Sequence, residues 1–325
     1  MDTGDERSVS DEGEFGLIDV VKAEAARDRP SPRQVLIGPG DDAAQVLTPH
    51  GSVIVSTDML VEGRHFRRDW SSAEEIGRKA AAANLSDMNA MGGVATALTV
   101  GLAVPGALPT SWVAELARGF EKECARVGAV VVGGDMTAAD QVVISVTVLG
   151  DVARPVTRGG ALPGDVVAVA GRLGMSAAGL AAMSRGFRSP RAAVEAHRVP
   201  DPPYAAGPQA AGAGATAMID VSDGLLADLA HVARLSGVVL DLDPDAFEVP
   251  APVATVAEAL GADPLNFVLT GGEDYALAAT FSAQTPLPDG WRQVGTVRDV
   301  SEDESPCVLV AGDPYAGPAG HEHWR

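Results

Sequence analysis

The sequence predicts an α/β (α+β) protein of two domains, and three observations carry that expectation. Short runs rich in Val and Ile alternate with Ala-rich stretches of helical composition. A segment with two prolines and a glycine pair, DVARPVTRGGALPGD at 151–165, separates two of those runs. Several runs also stop abruptly on carboxylates. Strands that alternate with helices in some places and follow one another in others suit mixed layers.

The strand-like runs fall at 35–37, 52–57, 94–104, 129–132, 141–149, 165–170, 216–221, 237–242 and 266–270. Residues 1–13, acidic and polar, read as a solvated tail. The N-terminal domain is then 14–152 and the C-terminal domain 153–325, because the Pro- and Gly-containing stretch between them breaks both strand and helix. One helix is predicted in SSAEEIGRKAAAANLSDMNAMGG, opened by Ser71–Ser72 as a cap and closed on Gly92–Gly93. At about 100° per residue Ile76, Ala80, Ala83, Asp87 and Met91 share one stripe, with Asn84 on its edge, while Glu74, Glu75, Arg78 and Lys79 lie off it. Asp87 therefore sits on an apolar face, where a carboxylate needs a partner: a backbone amide, an arginine or a ligand. GRLGMSAAG at 171–179 reads as a turn that opens a helix over 175–184, and the acidic DLDPDAFE at 241–248 as a solvated loop.

Composition narrows the function. Acidic residues outnumber basic ones 44 to 24, a formal charge of −20, which argues against nucleic acid or anionic lipid as a partner. Lys22, Lys79 and Lys122 are the only lysines, so an anionic ligand would need metal cations or a few placed arginines. Cys124 and Cys307 form no zinc pattern and require no disulfide. The polar N-terminus is unlike a secretory signal, and no apolar run approaches the roughly 18 residues of a membrane span. A cytoplasmic protein is expected.

Five apolar runs end on acids: VLIGPGDD (Asp41, Asp42), VIVSTD (Asp58), VVVGGD (Asp135), AMIDVSDG (Asp220, Asp223) and FVLTGGED (Glu273, Asp274). An Asp after a strand is most often a turn former or cap, but five together point further. Ligands in open α/β sheets gather beyond the carboxyl ends of strands. Hard oxygen donors with almost no lysine suit magnesium, which keeps waters and substrate phosphates as its other ligands. A bound cation would also offset the repulsion between Asp41 and Asp42. Calcium competes, although no EF-hand spacing occurs, and neither a P-loop nor a protein-kinase signature is found.

Taken in order, GEFGLI, GPGDDAA, STDMLVEGRHF, NLSDMNAMGG, VVGGDMT, VTRGGALPGD, GMSAAGL, IDVSDGLLADL and LTGGEDYAL resemble the pattern of the thiamine-monophosphate kinase family, from about Glu14 to Leu277. That family is related to aminoimidazole ribonucleotide and selenophosphate synthetases. The resemblance implies an N-terminal domain whose mixed sheet pairs across a homodimer and binds ATP, with a C-terminal α/β domain completing the site. It implies Asp42, Ser56, Thr57, Asp58, Asp87, Asp135, Asp220 and Asp223 as ligands of several Mg2+ ions. Gly134, Asp135, Arg158, Ser222 and Trp112 are implied at the nucleotide, and His65 and Glu273 at thiamine monophosphate. Family members place an aromatic near the C-terminus against the thiamine; here Pro318 stands close to that place, and Tyr315 and Trp324 are the alternatives.

The implied reaction passes a phosphoryl group from ATP to a phosphate oxygen that is already anionic, so no general base is expected and Arg158 would stabilise the phosphates. Rival readings are another ATP-using synthetase of this group, a metal-dependent phosphohydrolase, and a non-catalytic cation-binding protein.

Overall fold

The computed structural model describes Ser8, residues 20, 21, 23 and 24, residues 35–37, and 45–320 apart from 318. The chain divides into two compact units. One comprises residues up to Met88 with Val94–Val152, and the other Asn89–Gly93 with Ala153 onward.

The first unit pairs a small ladder, β1 (Val35–Ile37) with β2 (Gln45–Val46), and a four-stranded sheet. The sheet contains β3 (Ile54–Val61), β4 (Val94–Val104), β5 (Val130–Ala138) and β6 (Val143–Asp151), in the order β3-β6-β4-β5. Only β4 and β5 run parallel. Helices α1 (Ala73–Ala90) and α2 (Thr110–Cys124) pack together in this part of the chain. They touch backbone to backbone: a Cβ on Gly77 would lie 2.2 Å from the Leu116 carbonyl, and one on Gly119 2.2 Å from that of Glu74.

α1 starts where the sequence predicts, because Ser72 and Glu75 form a reciprocal box. The Ser72 N–H donates to Glu75 Oε2 at 2.8 Å and the Glu75 N–H to Ser72 Oγ at 3.3 Å. Burial departs from the amphipathic expectation. Lys79, off the predicted stripe, is only 3% exposed, its ammonium donating to the His65 carbonyl at 3.0 Å. From Lys79 to Ala90 only Asp87 escapes full burial.

On the sheet's other face, β3 presents Val55 and Met59, 62% and 54% exposed, with Thr57 exposed between them. That face mixes apolar and hydroxyl side chains and is open in the isolated chain.

The second unit is a seven-stranded sheet in the order β13-β12-β9-β11-β7-β10-β8. Its strands are β7 (Asp165–Ala170), β8 (Ala217–Val221), β9 (Val238–Leu242), β10 (Ala276–Ser282), β11 (Trp291–Asp299), β12 (Cys307–Val310) and β13 (Asp313–Pro314). Its helices are α3 (Met175–Ser184), α4 (Arg191–Arg198), α5 (Ala206–Ala213), α6 (Leu225–Ser236), α7 (Ala251–Leu260) and α8 (Pro264–Thr270). Ile219, Val221, Leu226 and Leu229 pack in one core, and Met218, Leu277, Phe281 and Trp291 in another. No disulfide joins Cys124 and Cys307.

Two sequence expectations fail here. The run at 266–270 is not a strand but the body of α8, because Asp263 caps Leu265 N–H at 2.9 Å and Pro264 stands at the first helical position. Strands β10 to β13 were not anticipated; β10, ALAATFS, is Ala-rich and buried on both faces, a composition that resembles helix.

Candidate active site

The acids do not all lie where the apolar runs suggest. Asp58 and Asp135 sit inside β3 and β5, which continue to Val61 and Ala138. The alternation on β3 aims Ser56 and Asp58 to one face and Thr57 to the other, where its hydroxyl lies 2.9 Å from that of Thr147. Asn84, fully buried on α1, accepts the Asp58 N–H at 3.2 Å and donates to the Ala80 carbonyl at 3.0 Å. Asp87 follows Asn84 by three residues and so shares its side of the helix. β3 and α1 thus bring Asp58 and Asp87 to one place, both half-buried.

Asp135 stands apart. β3 and β5 are the two edge strands, separated by β6 and β4, so three inter-strand spacings, ~14 Å, divide the Asp58 and Asp135 backbones. That is too far for both to hold one ion within one chain. Gly134 is needed where it stands: a Cβ would meet the Val100 carbonyl at 2.0 Å. Asp135 Oδ1 accepts the Met136 N–H at 2.9 Å. Trp112 is half-buried in the first turn of α2. His65 Nδ1 accepts the Val61 N–H at 3.0 Å, which puts the proton of the neutral ring on Nε2.

In the second unit the implied residues collect at one edge of the sheet. β10 is antiparallel to both β7 and β8, so the ends of β7 and β8 lie beside the start of β10. Three loops meet there: 171–174, 222–224 and 271–275. They are joined main chain to main chain, the Glu273 N–H donating to Ser222 O at 2.8 Å and the Tyr275 N–H to Val221 O at 2.9 Å. Gly272 must lack a side chain, since a Cβ would lie 2.5 Å from the Ser222 carbonyl. Glu273 and Tyr275 adopt φ of 61° and 52°, the left-handed region that non-glycine residues occupy at a cost.

Two buried aspartates hold these loops. Asp228 Oδ2 accepts N–H groups from Ser222, Asp223 and Gly224 at 3.0, 3.1 and 3.1 Å. Asp274 accepts from Gly174 N–H at 2.5 Å and Ser176 N–H at 2.8 Å, one oxygen for each. Burial pushes both carboxyls up to about 7, opposed in each by those backbone bonds. The sequence reading counted Asp274 among oxygen ligands; the structure commits both its oxygens to the 171–176 turn. Asp228 was not singled out, although its place in SDGLLADL, just inside a helix start, is a local signal for capping.

Asp220 is buried at the end of β8 and Asp223 is half-buried beyond it. Arg158 is exposed on a loop pinned by Ser236, whose hydroxyl accepts Gly160 and Ala161 N–H groups at 3.0 and 3.1 Å. His231 belongs to the same neighbourhood: burial, Arg234 and Arg158 lower its pKa, and Asp223 opposes them. Tyr315 donates its hydroxyl to Asn266 Oδ1 at 2.7 Å. Asp41, Asp42, Pro318 and Trp324 lie outside the described residues. Among the described residues no three His, Cys, Asp or Glu side chains converge as a metal centre. The donor chemistry nevertheless fits magnesium, because Ser56, Asp58 and Asp87 offer hard oxygens.

Comparison with known proteins assigns the class. Residues 40–152 match the N-terminal domain of AIR synthase related proteins, and residues 163–281 their C-terminal domain. A thiamine-monophosphate kinase of Mycobacterium tuberculosis is 48% identical over 312 residues, 95% of this chain and 90% of that protein. The solved thiamine monophosphate kinase of Aquifex aeolicus superposes with a TM-score of 0.75 at 31% identity, covering 81% of this chain and 89% of that one. A structure described as AaThiL complexed with AMPPCP and TMP gives a TM-score of 0.79 at 31% identity, over 98% and 99% of the two chains. This chain belongs to the thiamine-monophosphate kinase family, within the AIR synthase related proteins.

Proposed function

We propose that this protein transfers the terminal phosphoryl group of ATP to thiamine monophosphate, giving ADP and thiamine diphosphate. The observation that carries the reading is the 48% identity to the Mycobacterium tuberculosis enzyme over 95% of the chain. It is the work of a cytoplasmic protein; among the described residues no helix is long and apolar enough to cross a membrane.

The chain's contribution is alignment and charge compensation rather than proton transfer. The accepting phosphate oxygen is anionic near neutral pH, so the reaction needs its two polyanions held in line. Asp42, Ser56, Asp58, Asp87, Asp135, Asp220 and Asp223 would hold Mg2+, with Asp58 and Asp135 on separate ions within one chain. Thr57, whose hydroxyl turns to the other face towards Thr147, could join Ser56 and Asp58 only through its backbone carbonyl. Those ions, when bound, neutralise the phosphate charge that would otherwise keep the substrates apart. Gly134 and Ser222 offer close backbone and hydroxyl approach to the nucleotide, Trp112 an aromatic face, and Arg158 a guanidinium for the phosphates. His65, through Nε2–H, and Glu273 contact thiamine monophosphate. Residues 14–152 form the nucleotide domain and 153–325 complete the site.

The protein works as a homodimer joined through the open sheet face. Val55, Thr57 and Met59 form a row there with Leu149, Thr147 and Ser145 of the neighbouring strand, and a second copy would bury it.

The test is one incubation with Mg-ATP and thiamine monophosphate, resolving thiamine diphosphate, ADP and inorganic phosphate by chromatography. ADP and thiamine diphosphate in equal amounts, absent without magnesium, support the kinase. Inorganic phosphate without thiamine diphosphate overturns it in favour of a hydrolase.

A further inference from the structure

We propose that His197 is a positioning residue for the thiamine monophosphate end of the site, acting through Glu273. The inference rests on the reading of Glu273 as a substrate contact and extends it to a residue that touches no substrate.

His197 lies on α4 and is 7% exposed. Its Nδ1 is 3.4 Å from Glu273 Oε2 and 3.2 Å from Ser176 Oγ. Ser176 is fixed from behind, because its N–H donates to the buried Asp274. The histidine is fixed as well. A Cβ on Gly179 would lie 2.1 Å from the Ala193 carbonyl and 2.8 Å from His197 Cβ, so α3 and α4 meet backbone to backbone beneath the ring. A line therefore runs from Asp274 through Ser176 and His197 to Glu273, and the last carboxylate is the most exposed of the four.

The plainer reading is a core histidine satisfied by Ser176. Two observations favour more. A buried histidine content with a serine hydroxyl needs no carboxylate beside the same nitrogen. That carboxylate also belongs to a residue held at φ 61°, a conformation that persists only where its surroundings enforce it. With the proton on Nδ1 the N–H faces both the Ser176 hydroxyl and the Glu273 carboxylate and attracts the carboxylate. With the proton on Nε2 it would turn a lone pair towards the carboxylate, which is repulsive. His197 thus restricts the directions in which Glu273 can point.

The test uses the full-length protein with Mg-ATP. His197→Phe keeps an aromatic ring of similar bulk but removes the donor, and His197→Asn places an amide N–H near the position of Nδ1. The expected result is a rise of about tenfold or more in KM for thiamine monophosphate in His197→Phe. KM for ATP and kcat stay within about threefold, and His197→Asn recovers most of the loss. In a Glu273→Gln background His197→Phe should then add little, since the two act as a unit. Additive effects, or a parallel fall in Tm and both KM terms that His197→Asn does not rescue, would reduce His197 to packing and overturn the proposal. An unchanged KM for thiamine monophosphate in Glu273→Gln alone overturns the reading of Glu273 and the proposal with it.

Discussion

The two units place their acids in opposite ways. In the first, Asp58 and Asp87 ride on a strand and a helix that are stable for other reasons, β3 paired along its length and α1 buried on nearly every side. In the second, Asp220, Asp223 and Glu273 end a strand or stand on loops, and those loops are held by further acids, Asp228 and Asp274, through backbone N–H groups. An acid on a regular element rides on a backbone that other contacts already hold. An acid that ties down a loop is itself one of the contacts that hold the backbone. Substitutions should therefore separate activity from stability in the first unit and couple them in the second.

The largest effect is expected at Asp87. Asp87→Asn keeps the volume and removes one charge, and activity should fall by a hundredfold or more while Tm moves by a few degrees at most. ADP release and a thermal melt on the same sample check this. A Tm loss in proportion to the activity loss would show that Asp87 is structural and would collapse the contrast. Next comes the open face of β3. Met59→Asp puts charge in the middle of the proposed dimer contact, and light scattering should show dimer giving way to monomer at micromolar concentration. An unchanged dimer would place the contact elsewhere.

Asp274 tests the coupled side through pH. Its folded pKa, about 7, lies above the ordinary aspartate value, so between about pH 4 and 7 the folded chain keeps a proton that the unfolded chain has released. Stability contributed this way is present at pH 5 and is lost as pH rises through 7. Asp274's share of the loss between pH 5 and pH 8 is about 2–3 kcal/mol, read from urea unfolding as the part that disappears in Asp274→Asn, while the part due to Asp228, whose carboxyl is raised likewise, remains. An unchanged pH slope in that variant would mean the two backbone N–H groups keep the carboxylate ionised throughout.

Local signals explain what could be read in advance. The limits of α1 and the start of α3 were legible because caps and glycines act within a few residues. The end of β8 at Val221 was legible because the turn SDG follows it at once. β3 and β5 were read too short because the apolar run was followed instead of the alternation: in STDMLV, Ser56, Asp58 and Leu60 face one way and Thr57 and Met59 the other. FVLT was misread because three apolar residues in a row do not distinguish strand from helix; the deciding features, Asp263 and Pro264, precede it. The resemblance names the motif residues of the candidate site, but it does not name their supports. Asp228 acts within six residues and carries a local capping signal, but Asp274 and His197 act across loops distant in sequence, as in the 98 residues between Ser176 and Asp274, and no local pattern encodes such a meeting.

The smallest expected effect sharpens the contrast most. Ser72→Ala removes the Oγ that accepts the Glu75 N–H and lies at the far end of the helix carrying Asp87. Fifteen residues of helix put ~22 Å between them. Loss of such a cap should cost about 1 kcal/mol, yet kcat and both KM values should be unchanged, because α1 is held along its length by burial rather than by its first turn. Urea unfolding gives the first quantity and steady-state kinetics the second. A measurable change in KM for ATP would mean that fraying at one end of α1 reaches Asp87, and that the regular elements of the first unit position the site no more independently than the tied loops of the second.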